Sequence, residues 1–258
     1  MRYWNRNLIS ATARRPTSTE SSGIFDLRSH SLYKNEILWP SIGELTTAGL
    51  DLHLDAGDSS SYSGSGTTWF DLTSNNHDFT LINGPVYNSG FGGHFIFDGS
   101  NDKAENSSGW TNYGTDPFTV EAWYRNHGSI DFATIVGTQT SGTGTWQMDF
   151  INDTIRWQGG GLLSGTGNTR VFNNWVQVVM VREGTGTDQF KIYFNGALDG
   201  THTLSQDFNV STQLRIAGNR GNNKFFDGDI SIIRIYKNKA LTAAEVLGNY
   251  YYNVYRYV

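Results

Sequence analysis

Apolar and polar residues alternate in short runs along most of this chain. In Phe118–Tyr124, Phe118, Val120 and Ala122 fall on one side and Thr119, Glu121 and Trp123 on the other. That two-residue period is the signature of a strand buried mainly on one face. Leu50, Leu52 and Leu54 alternate in the same way with Asp51, His53 and Asp55, and Phe190, Ile192 and Phe194 with Lys191, Tyr193 and Asn195. Asn195-Gly196 then marks a hairpin turn. Trp175–Val181 is apolar on both sides, which predicts a central strand. Further strands are predicted at Thr67–Leu72, Phe79–Ile82 and His94–Phe97, the last running into an Asp98-Gly99 turn. Stretches rich in Ser, Gly and Thr at 141–145, 164–168 and 184–188 read as loop tips. Short strands at this spacing predict an all-β sandwich.

One helix is predicted, near the C-terminus. Thr242 and Glu245 have the spacing of a capping box, in which hydroxyl and carboxylate each satisfy an otherwise orphaned amide. Leu241 and Val246 stand where a hydrophobic staple would, and Gly248 or Asn249 is expected to end the helix.

The first 49 residues read differently. Residues 1–22 are rich in Arg, Ser, Thr and Asn and predict an extended arm. Residues 23–40 carry Ile24, Phe25, Leu27, Leu32, Tyr33 and Trp39, too apolar for a free linker, and Ser29 or Ser31 would cap a short helix ending before Pro40. This gives an arm over 1–49 and a sandwich over 50–258.

Composition narrows the function. The 258 residues include 30 Gly and 14% aromatics, which suits short strands and tight turns, and no Cys, which excludes disulfides and thiolate chemistry. The net charge of −5 divides into +2 on residues 1–49 and −7 on the rest. An acidic body argues against nucleic acid as a partner. No apolar run approaches the ~18–20 residues of a membrane span, and residues 1–16 lack a signal-peptide core. The expectation is a soluble protein made in the cytosol, with no membrane partner.

The succession D-A-G-D-S-S-S-Y-S-G-S-G-T-T-W-F-D-L from Asp55, then F-I-F-D-G-S-N-D (95–102), F-T-V-E-A-W (118–123), N-N-W-V-Q-V-V-M-V-R (173–182), K-I-Y-F-N-G (191–196), L-R-I-A-G (214–218), F-D-G-D-I-S-I-I-R-I-Y (226–236) and K-A-L-T-A-A-E-V-L-G-N-Y (239–250) resembles the laminin-G-like, concanavalin A-like jelly-roll domains common in bacteriophage structural proteins. The blocks run in the family's order over about 50–252, with Lys103-Ala104 standing where the family usually has an aromatic. Gly-Ile-Phe-Asp-Leu at 23–27 followed by Trp39-Pro40 resembles a segment that recurs in phage virion proteins. The resemblance implies a structural protein on the outside of a phage particle, a head decoration or fibre-like appendage. Ile24, Phe25, Leu27, Leu32, Tyr33 and Trp39 would anchor it to other capsid or tail proteins, in several copies. A sandwich on that surface would bind host surface polysaccharide. The alternative is a tail adhesin whose main task is glycan binding, and a third reading is a glycan hydrolase.

The candidate chemistry favours a non-enzyme. The body has four Glu (Glu105, Glu121, Glu183 and Glu245), none two residues from another acid, so no carboxylate pair for glycoside hydrolysis is written into one strand. The six His show no zinc-ligand spacing. No cofactor is required, and calcium is an optional ligand: Asp98 and Asp102 around Gly99, with Asp227, offer hard oxygens. For glycan contact the candidates are Trp110, Tyr113, Trp157, Asn219, Arg220 and Asn222, aromatics and amides placed on loops.

Overall fold

The computed structural model describes residues 43–106, 110, 113–138, 144–159, 162–169, 171–218 and 224–258. The strands are β1 (Leu50–Asp55), β2 (Thr68–Trp69), β3 (Phe79–Ile82), β4 (Val86–Asn88), β5 (His94–Asp98), β6 (Lys103–Asn106), β7 (Phe118–Asn126), β8 (Thr134–Thr138), β9 (Gln147–Ile151), β10 (Thr154–Gln158), β11 (Leu162–Thr169), β12 (Trp175–Arg182), β13 (Phe190–Phe194), β14 (Ala197–His202), β15 (Leu214–Ile216) and β16 (Asp227–Lys237). One α-helix, α1 (Ala243–Asn253), follows them. Two antiparallel sheets hold these strands. The first runs β14-β13-β12-β7-β16-β5-β4, with β1 paired to the second half of β16; the other runs β11-β10-β9-β8-β15-β6-β3-β2. This is the all-β sandwich with one C-terminal helix that the alternation predicts.

The core lies between the sheets. Phe118, Val120, Ala122 and Tyr124 of β7, Val176, Val178 and Met180 of β12 and Ile230, Ile233 and Ile235 of β16 face Met148 and Phe150 of β9, Ile155 and Trp157 of β10 and Leu214 and Ile216 of β15. The first sheet is also buried over the middle of its outer face. Glu121, Trp123, Gln177, Val179, Ile232 and Arg234 have almost no exposure. Glu121 is tolerated there because Arg234 Nη1 lies 3.0 Å and Gln177 Nε2 2.9 Å from its Oε1.

Three local expectations change. Residues 164–168 are not a loop tip but part of β11, paired with β10 from Gln158–Leu162 to Thr154–Thr169 across an irregularity. A hairpin ladder supplies partners for a backbone whose composition alone reads as turn. The strand at Thr67–Leu72 contracts to β2, because Asp71 folds a polar loop: its carboxylate accepts the amides of His53, Thr73 and His77. The helix continues past Gly248 to Asn253, since Gly248 and Asn249 are buried inside it.

The described residues divide into two compact units, 43–47 with 241–258 in one and 48–240 in the other. In the first, Thr242 Oγ1 accepts the Glu245 amide and Glu245 returns a bond to the Thr242 amide, completing the capping box. Asn249 Oδ1 accepts the Thr46 amide at 2.9 Å. The anchor residues Ile24, Phe25, Leu27, Leu32, Tyr33 and Trp39, and the helix that Ser29 or Ser31 would cap, lie outside the described residues. In the second unit the sandwich is complete.

Candidate functional site

The outer face of the sheet that contains β9 and β10 is polar. In β9, Gln147 and Asp149 alternate with the core residues Met148 and Phe150; in β10, Arg156 and Gln158 alternate with Ile155 and Trp157. The Asn152-Asp153 turn has both residues in the left-handed region (φ 47° and 60°), the type I′ geometry of a two-residue hairpin, and it fixes the register. Arg156 then stands opposite Asp149, and Gln158 opposite Gln147. Arg156 Nε donates to Asp149 Oδ1 at 2.5 Å and Nη2 to Oδ2 at 3.0 Å. Gln158 Oε1 accepts from Arg156 Nη2 at 3.2 Å and from Gln147 Nε2 at 2.8 Å, and Gln147 Nε2 also donates to Asp149 Oδ2. Gln147 Oε1 is buried with no partner among the described residues.

Phe132 closes one end of this group. Its ring centroid lies 4.8 Å from the Arg156 guanidinium carbon, and 38% of the residue is exposed. Its φ is +68°, a conformation that costs a bulky L-residue roughly 1–2 kcal/mol. The bend is held by its amide, which donates to Phe150 O at 2.6 Å, and by Asp131 Oδ1, which accepts the Asn152 amide at 3.0 Å. Toward the other end of the sheet, Gly137 of β8 stands opposite Gln147, Arg215 of β15 opposite Gly137, and Glu105 of β6 opposite Arg215. Glu105 Oε1 is shared by Arg215 (Nη2 at 2.6 Å) and Lys103 (Nζ at 3.0 Å). A Cβ on Gly137 would meet Gln147 Cβ at 2.5 Å and Trp146 O at 2.8 Å, so Gln147 is packed against the strand there and only glycine fits. The array thus holds two charge clusters, planar amides and one partly exposed ring. Fixed donors and acceptors beside an aromatic face suit a polyhydroxylated ligand. Both carboxylates are engaged by arginine.

The aromatic glycan candidates lie elsewhere. Trp110, Tyr113 and Trp157 are all in the core and are withdrawn as sugar platforms, because a ring with no solvent-facing surface has nothing to stack on a ligand. Trp157 stacks on Trp146 at 4.7 Å and 7°, and Tyr113 on Phe118 at 4.6 Å. Trp110 packs on His77. Burial pushes the Tyr113 hydroxyl well above its usual pKa. Arg182 caps this aromatic cluster, lying over Phe118 and Phe208 and donating to the carbonyls of Gly114, Asp116 and Gln206; burial lowers its pKa to about 10. Asn219, Arg220 and Asn222 lie outside the described residues.

The calcium candidates do come together, but as a turn. Asp98 and Asp227 are partners across β5 and β16, and Asp102 Oδ2 accepts the Asp98 amide at 3.2 Å. Asp98 Oδ1 accepts the amides of Ser100, Asn101 and Asp102, and those bonds hold its carboxyl below the usual range. Burial raises that of Asp102. A calcium ion needs six to eight oxygens, and among the described residues no three carboxylates or imidazoles are grouped to hold a metal. This donor set does not fit the ion.

The fold and the polar sheet face define a lectin-like jelly-roll module. The chain belongs to the concanavalin A-like lectin/glucanases superfamily, whose profile matches residues 98–247. No curated protein sequence matches it. Among solved structures it is similar to domain 4 of AbnA, an extracellular arabinanase of Geobacillus stearothermophilus in complex with arabinotriose. There the TM-score is 0.62 at 16% identity, over 78% of this chain and 97% of that domain. It is similar also to the Trypanosoma rangeli sialidase in complex with sialic acid (TM-score 0.59, 17% identity, 80% of this chain) and to the binding domain of botulinum neurotoxin serotype G (0.58, 16%, 78%). The match spans a third of the sialidase and half of the toxin domain. At these identities the likeness is one of fold.

Proposed function

We propose that this chain is a non-enzymatic surface protein of a bacteriophage particle whose sandwich recognises host glycans. The observation that carries the glycan reading is the pair of partly exposed groups on the outer face, the Gln158 amide and the Phe132 ring, held in place by the buried Asp149, Arg156 and Gln147 beneath them. Preorganised hydrogen-bonding groups lose little freedom when a sugar docks. Binding is favoured over hydrolysis because Glu105 and Asp149 are each tied to an arginine and separated along the row rather than facing one another as a hydrolytic carboxylate pair. The arabinotriose and sialic acid in the similar structures support the ligand class. The virion part rests on the sequence: the Gly23–Leu27 and Trp39-Pro40 segment precedes the sandwich, and residues 1–49 would attach to other virion proteins. Several copies on one particle would turn weak single-site binding into avidity.

The test has two arms. Full-length protein and a version lacking residues 1–48 are expressed during infection, and their sedimentation with particles is followed; only the full-length chain is expected to sediment. The same proteins are screened on a glycan array, where both are expected to bind, and Arg156→Met to lose the signal. Neither chain sedimenting would refute the virion role. A silent array would refute the glycan role.

A further inference from the structure

The chain crosses from one sheet to the other between β3 and β4, over Asn83-Gly84-Pro85. Asn83 and Gly84 are both exposed, and both have positive φ, 69° and 106°. The link stands outside the strand ladders, which end at Ile82–Lys103 on one side and resume at Val86–Ile96 on the other. Asn83 Nδ2 donates to Asn101 O at 2.8 Å in an exposed position, and no hydrogen bond holds its Oδ1 among the described residues. A Cβ built on Gly84 would meet nothing within 4 Å, so this peptide has room to turn.

The sequence holds a second Asn-Gly pair, and it is built differently. Asn195 and Gly196 form the two-residue turn between β13 and β14, at φ 48° and 80°. Phe194 and Ala197 pair directly across it. Asn195 Oδ1 accepts the Gln177 amide at 2.9 Å, and the Asn195 amide donates to Gln177 O at 2.9 Å. Asn195 is exposed too, so hydrogen bonding and not exposure separates the two pairs.

An asparagine followed by glycine can lose its side-chain amide without an enzyme. The glycine nitrogen gives up its proton and attacks the asparagine Cγ. The Cγ–Nδ2 bond breaks, ammonia leaves, and a five-membered succinimide closes. Water then opens either ring carbonyl, giving aspartate or isoaspartate; nothing is oxidised or reduced. Glycine permits the backbone rotation that brings its nitrogen to Cγ, and the rate depends on how freely the two atoms meet. Asn195 can meet its glycine only by releasing Gln177 and twisting the hairpin. Asn83 has only to exchange one exposed hydrogen bond for water, which costs little. We propose that Asn83-Gly84 is a site of spontaneous deamidation in the folded protein, and that the hairpin protects Asn195-Gly196. Conversion adds a negative charge to the link between the sheets and removes the donor on Asn101 O. The isoaspartate form also lengthens the backbone there by a methylene.

The test follows full-length protein kept at mildly alkaline pH, folded and in urea, by peptide mapping with mass spectrometry. Aspartate and isoaspartate peptides share a mass and separate by elution. In urea both pairs are expected to convert at similar rates. In the folded protein Asn83 is expected to convert at least about tenfold faster than Asn195, since a small misplacement of reacting atoms costs up to about 10²-fold. A folded Asn83 that stays intact while the urea sample converts overturns the proposal. So does a folded Asn195 that keeps pace with Asn83, which would mean that both react through global unfolding. No conversion in either state overturns it as well.

Discussion

Replacing Arg156 with methionine tests whether the polar array is a rigid device or a chance surface pairing. Arg156 and Asp149 are both fully buried, and the change removes two of the hydrogen bonds that hold the carboxylate. Breaking a buried pair from one side typically costs about 3–5 kcal/mol, because a charge is left behind without its partner. Loss of the guanidinium under Phe132 adds about 0.5–1 kcal/mol. At roughly 2–4 °C per kcal/mol for a chain of this size, the melting temperature should fall by about 7–24 °C. Arg156→Lys keeps the charge but not the two-pronged geometry and should fall in between. Asp149→Asn with Arg156→Met removes the stranded charge and should recover much of the loss. Urea unfolding followed by tryptophan fluorescence reads all three, since Trp157 is the next residue along β10. All three should lose glycan binding, including the partly recovered double variant. A cost below about 1 kcal/mol for Arg156→Met would place the pair among ordinary surface bridges and refute the reasoning.

Three further outcomes follow from other residues. Gly137→Ala drives a methyl into Gln147 and the Trp146 carbonyl, and should destabilise by about 1–3 kcal/mol in thermal melts while weakening glycan binding. His94 is held below its usual 6.5 by burial, opposed by Asp229 and the Gly90 carbonyl and aided by Arg125 and His127. The unfolded chain therefore takes up that proton first, so stability is full above about pH 6.5 and falls as the pH drops toward the folded value. Urea midpoints in a pH series should show that acid limb, and His94→Gln should flatten it. Thr242→Ala removes one half of the capping box and should cost about 0.5–2 kcal/mol, seen in helix content and melting temperature.

The outer faces of the two sheets share a construction that explains what was and was not legible in the sequence. Each has a fully buried aspartate, an arginine paired to it, and a phenylalanine with positive φ whose ring covers that arginine: Asp149, Arg156 and Phe132 on one sheet, Asp229, Arg125 and Phe91 on the other. The strands carrying the charged residues could be read from alternation, because one-sided burial imposes a two-residue period. The polar positions Gln147, Asp149, Arg156 and Gln158 were visible in the same pattern, yet pairing them requires the register that the Asn152-Asp153 turn sets. Arg125 and Asp229 are 104 residues apart and meet only through the β7–β16 ladder. Nor does any local residue pattern announce a phenylalanine in the left-handed region, since the conformation is imposed by the surrounding hydrogen bonds. The aromatic candidates failed for a related reason. Trp110, Tyr113 and Trp157 have the most apolar area to gain from burial, and the sandwich places that area between its sheets. Smaller rings, strained into place over arginines, are left to face solvent. A large aromatic on a predicted loop is therefore a weak sign of a sugar site in this fold, because its apolar area is drawn inward between the sheets.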